Sequence, residues 1–599
     1  MASATARPER ADAAAWLAVV AGTIGSLMAL LDVSIVNSSL PTIQGAIGAS
    51  GSEGTWVSTA YLVAEIVMIA LAGWFQRLLG LRRFLLIVTT LFIGFSMVCG
   101  LATSLGQMII GRVGQGFTGG AMIPTAMTIV ATRLPPRQQP VGIALFGVTA
   151  VLGPVIGPLL GGWLTENISW HYAFFVNLPV SILLLGLLFV GLQPQKGRPE
   201  MLLGADWIGI VGLTLGLSCL TVVLEEGQRE RWFESRMIIT LTVLCVVGFI
   251  LLSIGQLVAK EPVIYLRILR DRSFGMVFLI SLVVGAALYG LLYLIPQFLA
   301  NVSGYNALQS GYVVLISGIP PVAMMALFPW FARTVDVRIL IAAGLLFFSI
   351  SCFMNAQLTP ESVGMDFVWP QVMRGFGQYF SMLFLNQAAT SAVGKEYAED
   401  AAGLFNGARN LGGSFGLALV STMQERRDTL HLQRLGESVT ANSVMGQDAV
   451  HRVAQIATAR DGDPTGGALR GTALLMQQLV RQASVMTYAD LFWLFGIFLI
   501  CTIPLVLFLK PLRQQREAQE PEGAKDASHP PARQVRSRPQ AARAGTRRLG
   551  DTRSRTSAAA AATDCRSPVP LALSPTAAAS VPVRFGTGFS PAAEGGVRP

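Results

Sequence analysis

"GWFQRLLGLRRFLL" runs from Gly73 to Leu86, and a second stretch, "PWFARTVDVRILI", runs from Pro329 to Ile341. Trp74, Phe75, Arg77 and Arg82 of the first are matched in order by Trp330, Phe331, Arg333 and Arg338 of the second. Two further pairs keep nearly the same separation: Pro41 with Pro296, and "IIGRVGQGF" around Arg112 with "QVMRGFGQYF" around Arg374. Three ordered matches mark an internal duplication, with both copies entering the fold in the same orientation.

Working outward, the 599 residues are 52% hydrophobic and 13% charged, which places the chain among membrane proteins. A membrane-crossing helix needs about 20 mostly apolar residues. About fourteen such runs are present, at 13–38, 56–76, 84–104, 107–131, 141–164, 172–193, 205–224, 237–258, 275–299, 309–330, 338–355, 367–392, 400–422 and 488–510. The duplication pairs runs one to six with runs nine to fourteen, so runs seven and eight are an insertion. The expected fold is therefore all-α, with two parallel six-helix halves (13–200 and 261–512) and two inserted helices (201–260). Parallel halves of this kind carry substrate between them near the membrane midplane.

Arg and Lys cluster in alternate connections, around Arg77 to Arg83, Arg133 to Arg137, Lys196 to Arg198, Arg267 to Arg272 and Arg333 to Arg338. The positive-inside rule then puts both termini in the cytoplasm, with residues 1–12 as a cytoplasmic N-terminus. It also puts a long loop, 424–487, on the outer side. The net charge of +10 comes largely from the segment 513–599, whose basic and Ala/Pro-rich composition predicts a disordered cytoplasmic tail. Five of the six cysteines lie in apolar runs and the four histidines are scattered, which suggests neither disulfides nor a metal site.

Asp32, Glu65 and Arg112 are ionisable groups inside apolar runs. A cation there costs roughly 2.5–3.5 kcal/mol on insertion scales, so Arg112 must face the interior, and Asp32 and Glu65 are its natural partners. Carrying the Pro41 to Pro296 match back nine residues pairs Asp32 with Ala287, so the second half has no equivalent acid. Gly147, Gly153, Gly157 and Gly161, with Pro154 and Pro158, recur along helix five and predict close helix packing and a bend. Arg77, Arg82, Arg83, Arg333 and Arg338 are candidates for closing the cytoplasmic side. Polar and aromatic candidates for a substrate path are Asn37, Tyr61, Gln115, Tyr289, Tyr293, Gln297, Asn386 and Gln387.

The motifs "LDVSIVNSSLPTI", "GWFQRLLGLRR", "GRVGQGFTGGAMIP", "GVTAVLGPVIGPLLGG", "WHYAFFVNLP" and "EEGQRERWFES" together resemble the major facilitator superfamily, and within it the fourteen-helix EmrB/QacA drug:proton antiporters. "GMDFVWPQVMRGFG" and the long stretch before the last helix are most similar to the EmrB branch. The resemblance implies proton-coupled efflux of amphipathic compounds across the cytoplasmic membrane, with Arg112 governing proton exchange at a nearby acid. It implies that the Gly/Pro helix works at the seam between the halves, and it offers a periplasmic adaptor and an outer-membrane channel as candidate partners. Two departures stand out. Arg77 occupies a position where the superfamily pattern has an acid, and Glu65 one where an uncharged residue is expected.

No GxxxxGK[ST] loop is present, so no cofactor is expected and a proton gradient is the expected drive. The expected partners are a small amphipathic or hydrophobic substrate, protons and the bilayer, with no nucleic acid. A dedicated exporter of one metabolite, siderophore or antibiotic stays open in the same fold. A remoter reading is an intramembrane enzyme using Asp32 and Glu65 as a carboxylate pair.

Overall fold

Each apolar run overlaps a helical segment of the computed structural model, which describes residues 10–259, 261–394, 397–438 and 464–510, with a few isolated positions between the last two. The segments are α1 (Ala13–Ile47), α2 (Trp56–Leu79), α3 (Leu81–Gly100), α4 (Leu105–Arg133), α5 (Gln139–Asn167), α6 (Asn177–Gly191), α7 (Trp207–Glu226) and α8 (Arg236–Val258). They continue as α9 (Arg272–Asn301), α10 (Leu308–Thr334), α11 (Val337–Asn355), α12 (Val368–Ala392), α13 (Ala398–Ser438) and α14 (Pro464–Thr502). Segment α10 is broken into short α and 3-10 pieces around Gly318, Pro320 and Pro321, since each proline removes a backbone donor. The tail expected at 513–599 lies outside the described residues.

Among the described residues, eleven segments are long and apolar enough to cross a membrane. The other three, α4, α12 and α13, are diluted by polar residues and glycine. Their Arg112, Gln115, Gln371, Arg374, Asn386, Asn406 and Arg409 are all buried, so protein rather than lipid surrounds these faces.

The duplication is visible in the packing. In the first half α1 packs on α5 and α6, α2 and α3 on α4, and α3 on α6; in the second α9 packs on α13 and α14, α10 and α11 on α12, and α11 on α14. The duplicated Trp-Phe pairs have the same edge-on geometry, with ring centroids 5.0 Å apart for Trp74 and Phe75 and 4.9 Å for Trp330 and Phe331. Pro41 and Pro296 both sit inside helices, in α1 and α9.

Hydrogen bonds define two faces. Ala11 to Gln138, Arg198 to Arg77, Arg333 to Arg137, Arg77 to Asp400 and Lys510 to Asp271 gather the basic connections on one side, called here the basic face. Ser58 to Asn37, Thr59 to Glu226, Asn301 to Tyr488 and Arg481 to the Pro360 carbonyl tie together the opposite face.

The inserted helices pack by close backbone approach, Gly212 and Gly216 of α7 lying against Gly248 and its neighbours on α8. Helix α7 also packs on α2 of the first half and α13 of the second.

The segment expected as a loop from 424 to 487 is helical at both ends, α13 continuing to Ser438 and α14 beginning at Pro464. Residues 424–438 are too charged to register as an apolar run, yet they are mostly good helix formers. At about 1.5 Å per residue α13 is about 60 Å long, roughly twice the hydrocarbon core. His431 and Arg427 of α13 both meet Asp490 of α14, at 2.9 and 3.4 Å.

Candidate functional site

Asp32 and Arg112, 80 residues apart in sequence, meet in the interior of the first half with Nη1 to Oδ2 at 2.5 Å and no solvent exposure on either side chain. Arg112 also donates from Nε to the Val57 carbonyl at 3.0 Å and from Nη1 to Gln115 Oε1 at 3.1 Å, and its guanidinium lies 4.2 Å from the Tyr61 ring centroid. The other Asp32 oxygen accepts from Gln115 Nε2 at 3.1 Å and Asn177 Nδ2 at 2.7 Å. Ser96 completes the cluster, accepting from Gln115 at 2.7 Å and Asn177 at 3.3 Å. Five helices, α1, α2, α3, α4 and α6, thus converge on one carboxylate. A buried ion pair is tolerable only when its remaining lone pairs and protons are also bonded, and here all but Arg112 Nη2 find partners.

Sequence reasoning paired Asp32 with Arg112 but missed Asn177 and Ser96. Asn177 stood in a quoted motif, yet nothing in its local pattern points to a residue 145 positions away. Gln115, expected on the substrate path, is bound into this cluster, and Tyr61 is covered beneath Arg112.

Glu65 is the second intramembrane acid, on α2 one turn beyond Tyr61. It is 3% exposed and its carboxylate makes no hydrogen bond among the described residues. The charges acting on it are Arg409 of α13, Arg112 and Asp32.

The second half keeps the cation and lacks the acid. Arg374 is buried on α12, donates from Nη2 to Ser317 at 2.7 Å and leaves Nε and Nη1 without a partner among the described residues. The position facing it in the repeat is Ala287, 1% exposed. Asp366, the nearest acid along its own chain segment, instead accepts from the Val363 backbone at 2.9 Å before α12 begins.

Helix α5 has two working faces. Added side chains at Gly153, Gly157 and Gly161 would collide with Leu30, Ser34 and Ser38 of α1, inside the same half. Of the four glycines expected at the seam, only Gly147 touches the other half, through Leu383 of α12. The seam is met by Leu152, Val155 and Leu159, which approach Gly311 and Gly318 of α10. Pro154 and Pro158 are half-buried within α5, whose helix continues through both.

At the basic face Arg77 crosses the seam. Its Nη1 lies 2.8 Å from Asp400 and 3.7 Å from Glu399 of α13, and Nη2 reaches the Val263 carbonyl at 3.5 Å. At this position, where the superfamily pattern has an acid, the chain thus places a cation on α2 that meets acids on α13. Arg333 also crosses, donating to the Arg137 carbonyl at 2.9 Å. Arg82 stays in its own half, 4.5 Å over the Phe189 ring, while Arg83 is exposed and the Arg338 backbone is capped by Asp336.

The remaining substrate-path residues divide by depth. Asn37 lies at the opposite face, accepting from Ser58 at 2.6 Å, and Tyr293 is 40% exposed. Gln297 is half-buried one turn along α9 from Tyr293, and Tyr289 donates to Asn410 at 3.3 Å. Asn386 and Gln387 are buried on α12, with amide oxygens that find no partner among the described residues.

The family model described as Major Facilitator Superfamily matches residues 22–417. The chain is 30% identical over 496 residues to the colistin resistance protein EmrB of Acinetobacter baumannii, covering 83% of this chain and 96% of that protein. It is likewise 30% identical over 496 residues to the multidrug export protein EmrB of Escherichia coli (strain K12), covering 82% and 94%. The fatty acid resistance protein FarB of Neisseria gonorrhoeae is 29% identical over 508 residues, covering 84% and 97%. Among solved structures, the human organic anion transporter MFSD10 (TETRAN) shares the fold with a TM-score of 0.53 at 14% identity, covering 81% of this chain and 99% of that one. The fourteen helical segments, the duplicated halves and these matches together make this a multi-pass membrane protein that belongs to the Major Facilitator Superfamily and, within it, to the EmrB type.

Proposed function

We propose that the protein exports amphipathic drugs or toxic compounds across the cytoplasmic membrane in exchange for protons, by alternating access between its two halves. The observation that carries this reading is the buried pair of Asp32 and Arg112, with a second acid, Glu65, buried on α2. Ionisable groups held at membrane depth are costly and mark ion pathways, and the acids Asp32 and Glu65 have no counterpart at the matching positions of the second half, where a purely structural device would be expected twice. Relatives named for colistin resistance, multidrug export and fatty acid resistance support this reading.

The basic face is the cytoplasmic side, with both termini there, following the positive-inside rule. Arg77 and Arg333 then close the cytoplasmic end of the seam in this conformation. Protonation and substrate binding compete at the intramembrane carboxylates, and rocking of the halves changes which side reaches them. The energetics suffice without a cofactor. A hundredfold outward gradient of a neutral compound costs about 2.8 kcal/mol, and one proton entering under roughly 150 mV yields about 3.5 kcal/mol. The extended ends of α13 and α14 project on the outer side and are the proposed seat of a periplasmic adaptor that leads to an outer-membrane channel.

The test is a susceptibility and accumulation panel in a host stripped of its own pumps. Resistance and reduced accumulation for several unrelated amphiphiles is the expected result. Protection against one compound alone would favour the dedicated-exporter reading.

A further inference from the structure

The motif "EEGQRERWFES", Glu225 to Ser235, joins the inserted helices α7 and α8 at the face opposite the basic one. The exchange proposed above gives it no task. Its shape is nevertheless specific. Arg231 and Trp232 have φ of 56° and 53°, in the left-handed region that residues with a Cβ rarely adopt. The chain is thereby turned back on itself. The Trp232 backbone donates to the Gly227 carbonyl at 2.6 Å, and its indole donates from Nε1 to Gln228 Oε1 at 2.9 Å. A Cβ at Gly227 would lie 2.7 Å from the Trp232 ring, so this close approach needs the glycine. With its oxygen held by Trp232, the Gln228 amide donates from Nε2 to Glu425 of α13.

The turn is held unequally on its two sides. Towards α2, Glu226 is 2% exposed, and its Oε1 accepts from Thr59 at 2.9 Å and from Thr55 at 3.3 Å. Its Oε2 pairs with Arg229 at 3.0 Å, and Arg229 also donates to Thr55. Towards α13, the contact of Gln228 with Glu425 is exposed. The neighbouring acid Glu225 has Oε1 buried without a partner among the described residues, so it adds no fastening there. Stripping a buried carboxylate of its partners is costly, whereas an exposed polar contact is worth little. When the outer ends of the halves separate, the turn therefore stays with α2 and parts from α13.

Resting on the alternating-access reading above, we propose that the turn between the inserted helices is an outer clasp carried by the first half, and that Gln228 is the positioning residue that meets Glu425 of the second half when the clasp is shut and leaves it in each transport cycle. Glu226 fastens the clasp to Thr55 and Thr59, and Trp232 aims it. The inserted pair travels with the first half while α7 slides along α13, a shear of packed helices.

The test uses the full-length protein with Gln228→Cys and Glu425→Cys in everted vesicles, the two thiols joined by a short reducible bis-methanethiosulfonate linker. Exchange of ethidium for protons is expected to stop on linking and to resume on reduction. The same linker on Glu230→Cys with Ser235→Cys, a pair inside the turn, leaves exchange at its unlinked rate, and linker-treated wild type gives the baseline for the native cysteines. Spin labels then report which half carries the turn, sampled with and without ethidium. Labels on Gln228→Cys with Glu425→Cys are expected to show two separations, and labels on Gln228→Cys with Ser58→Cys a single one. Should the 228–425 pair be inactive before linking, these separations decide. Exchange that continues with that pair linked overturns the clasp, as does a single separation for both label pairs. Two separations between 228 and 58 overturn its fastening to the first half. If the wild type shows coupled flux and the linked pair does too, this inference alone falls; absence of coupled flux in the wild type removes the reading beneath it.

Discussion

Asp32 and Arg112 were legible to each other in the sequence because a charge in an apolar run needs a partner, and few were available. The rest of their cluster was not. Ser96 and Asn177 are unexceptional residues at helix positions, and only the tertiary packing of α3 and α6 against α1 brings them to the carboxylate. Removing one member of a buried pair leaves the other uncompensated, at a cost of about 3–5 kcal/mol. Arg112→Gln alone should therefore lower the unfolding midpoint in detergent more than the double variant Asp32→Asn with Arg112→Gln, in which no charge is stranded. Additive losses in that double-mutant cycle would show that the two side chains are not energetically coupled.

Among the elements, the apolar runs identified the spans, and the physical reason is the length a bilayer demands. Three features escaped that signal. Segment α10 is broken by Gly318, Pro320 and Pro321, α13 and α14 extend in polar sequence past any apolar run, and the glycine stripe of α5 gives no hint of which neighbour it admits. Small residues at four-residue steps announce close approach but not the partner, and here the partner is α1. The stripe can be checked directly. An added Cβ at Gly157 would sit 2.2 Å from the Ser34 Cβ, whereas one at Gly162 would meet nothing within 4 Å. Gly157→Leu should destabilise the fold by about 1–3 kcal/mol or more, seen as a lower thermal midpoint and poor recovery from membranes, while Gly162→Leu should match the wild type. Equal behaviour of the two would place α5 differently against α1.

For the whole molecule, the duplication was readable because Trp74 and Trp330, Arg77 and Arg333, and Pro41 and Pro296 recur in order. The proposed function draws on the ways in which the halves differ. Among the described residues Arg374 repeats Arg112 without an ion-pair partner, and Glu65 is buried with no side-chain hydrogen bond. The seam itself could not be read from one sequence, since the match of Arg77 to Asp400 joins residues 323 positions apart. What the halves accomplish together is exchange of substrate for protons. Everted membrane vesicles holding an imposed proton gradient test that claim most directly, with gradient collapse read on adding an amphipathic cation such as ethidium. The account predicts collapse that requires the protein and is lost in the double variant Asp32→Asn with Glu65→Gln; collapse of equal size in that variant, or none with the wild type, would contradict it.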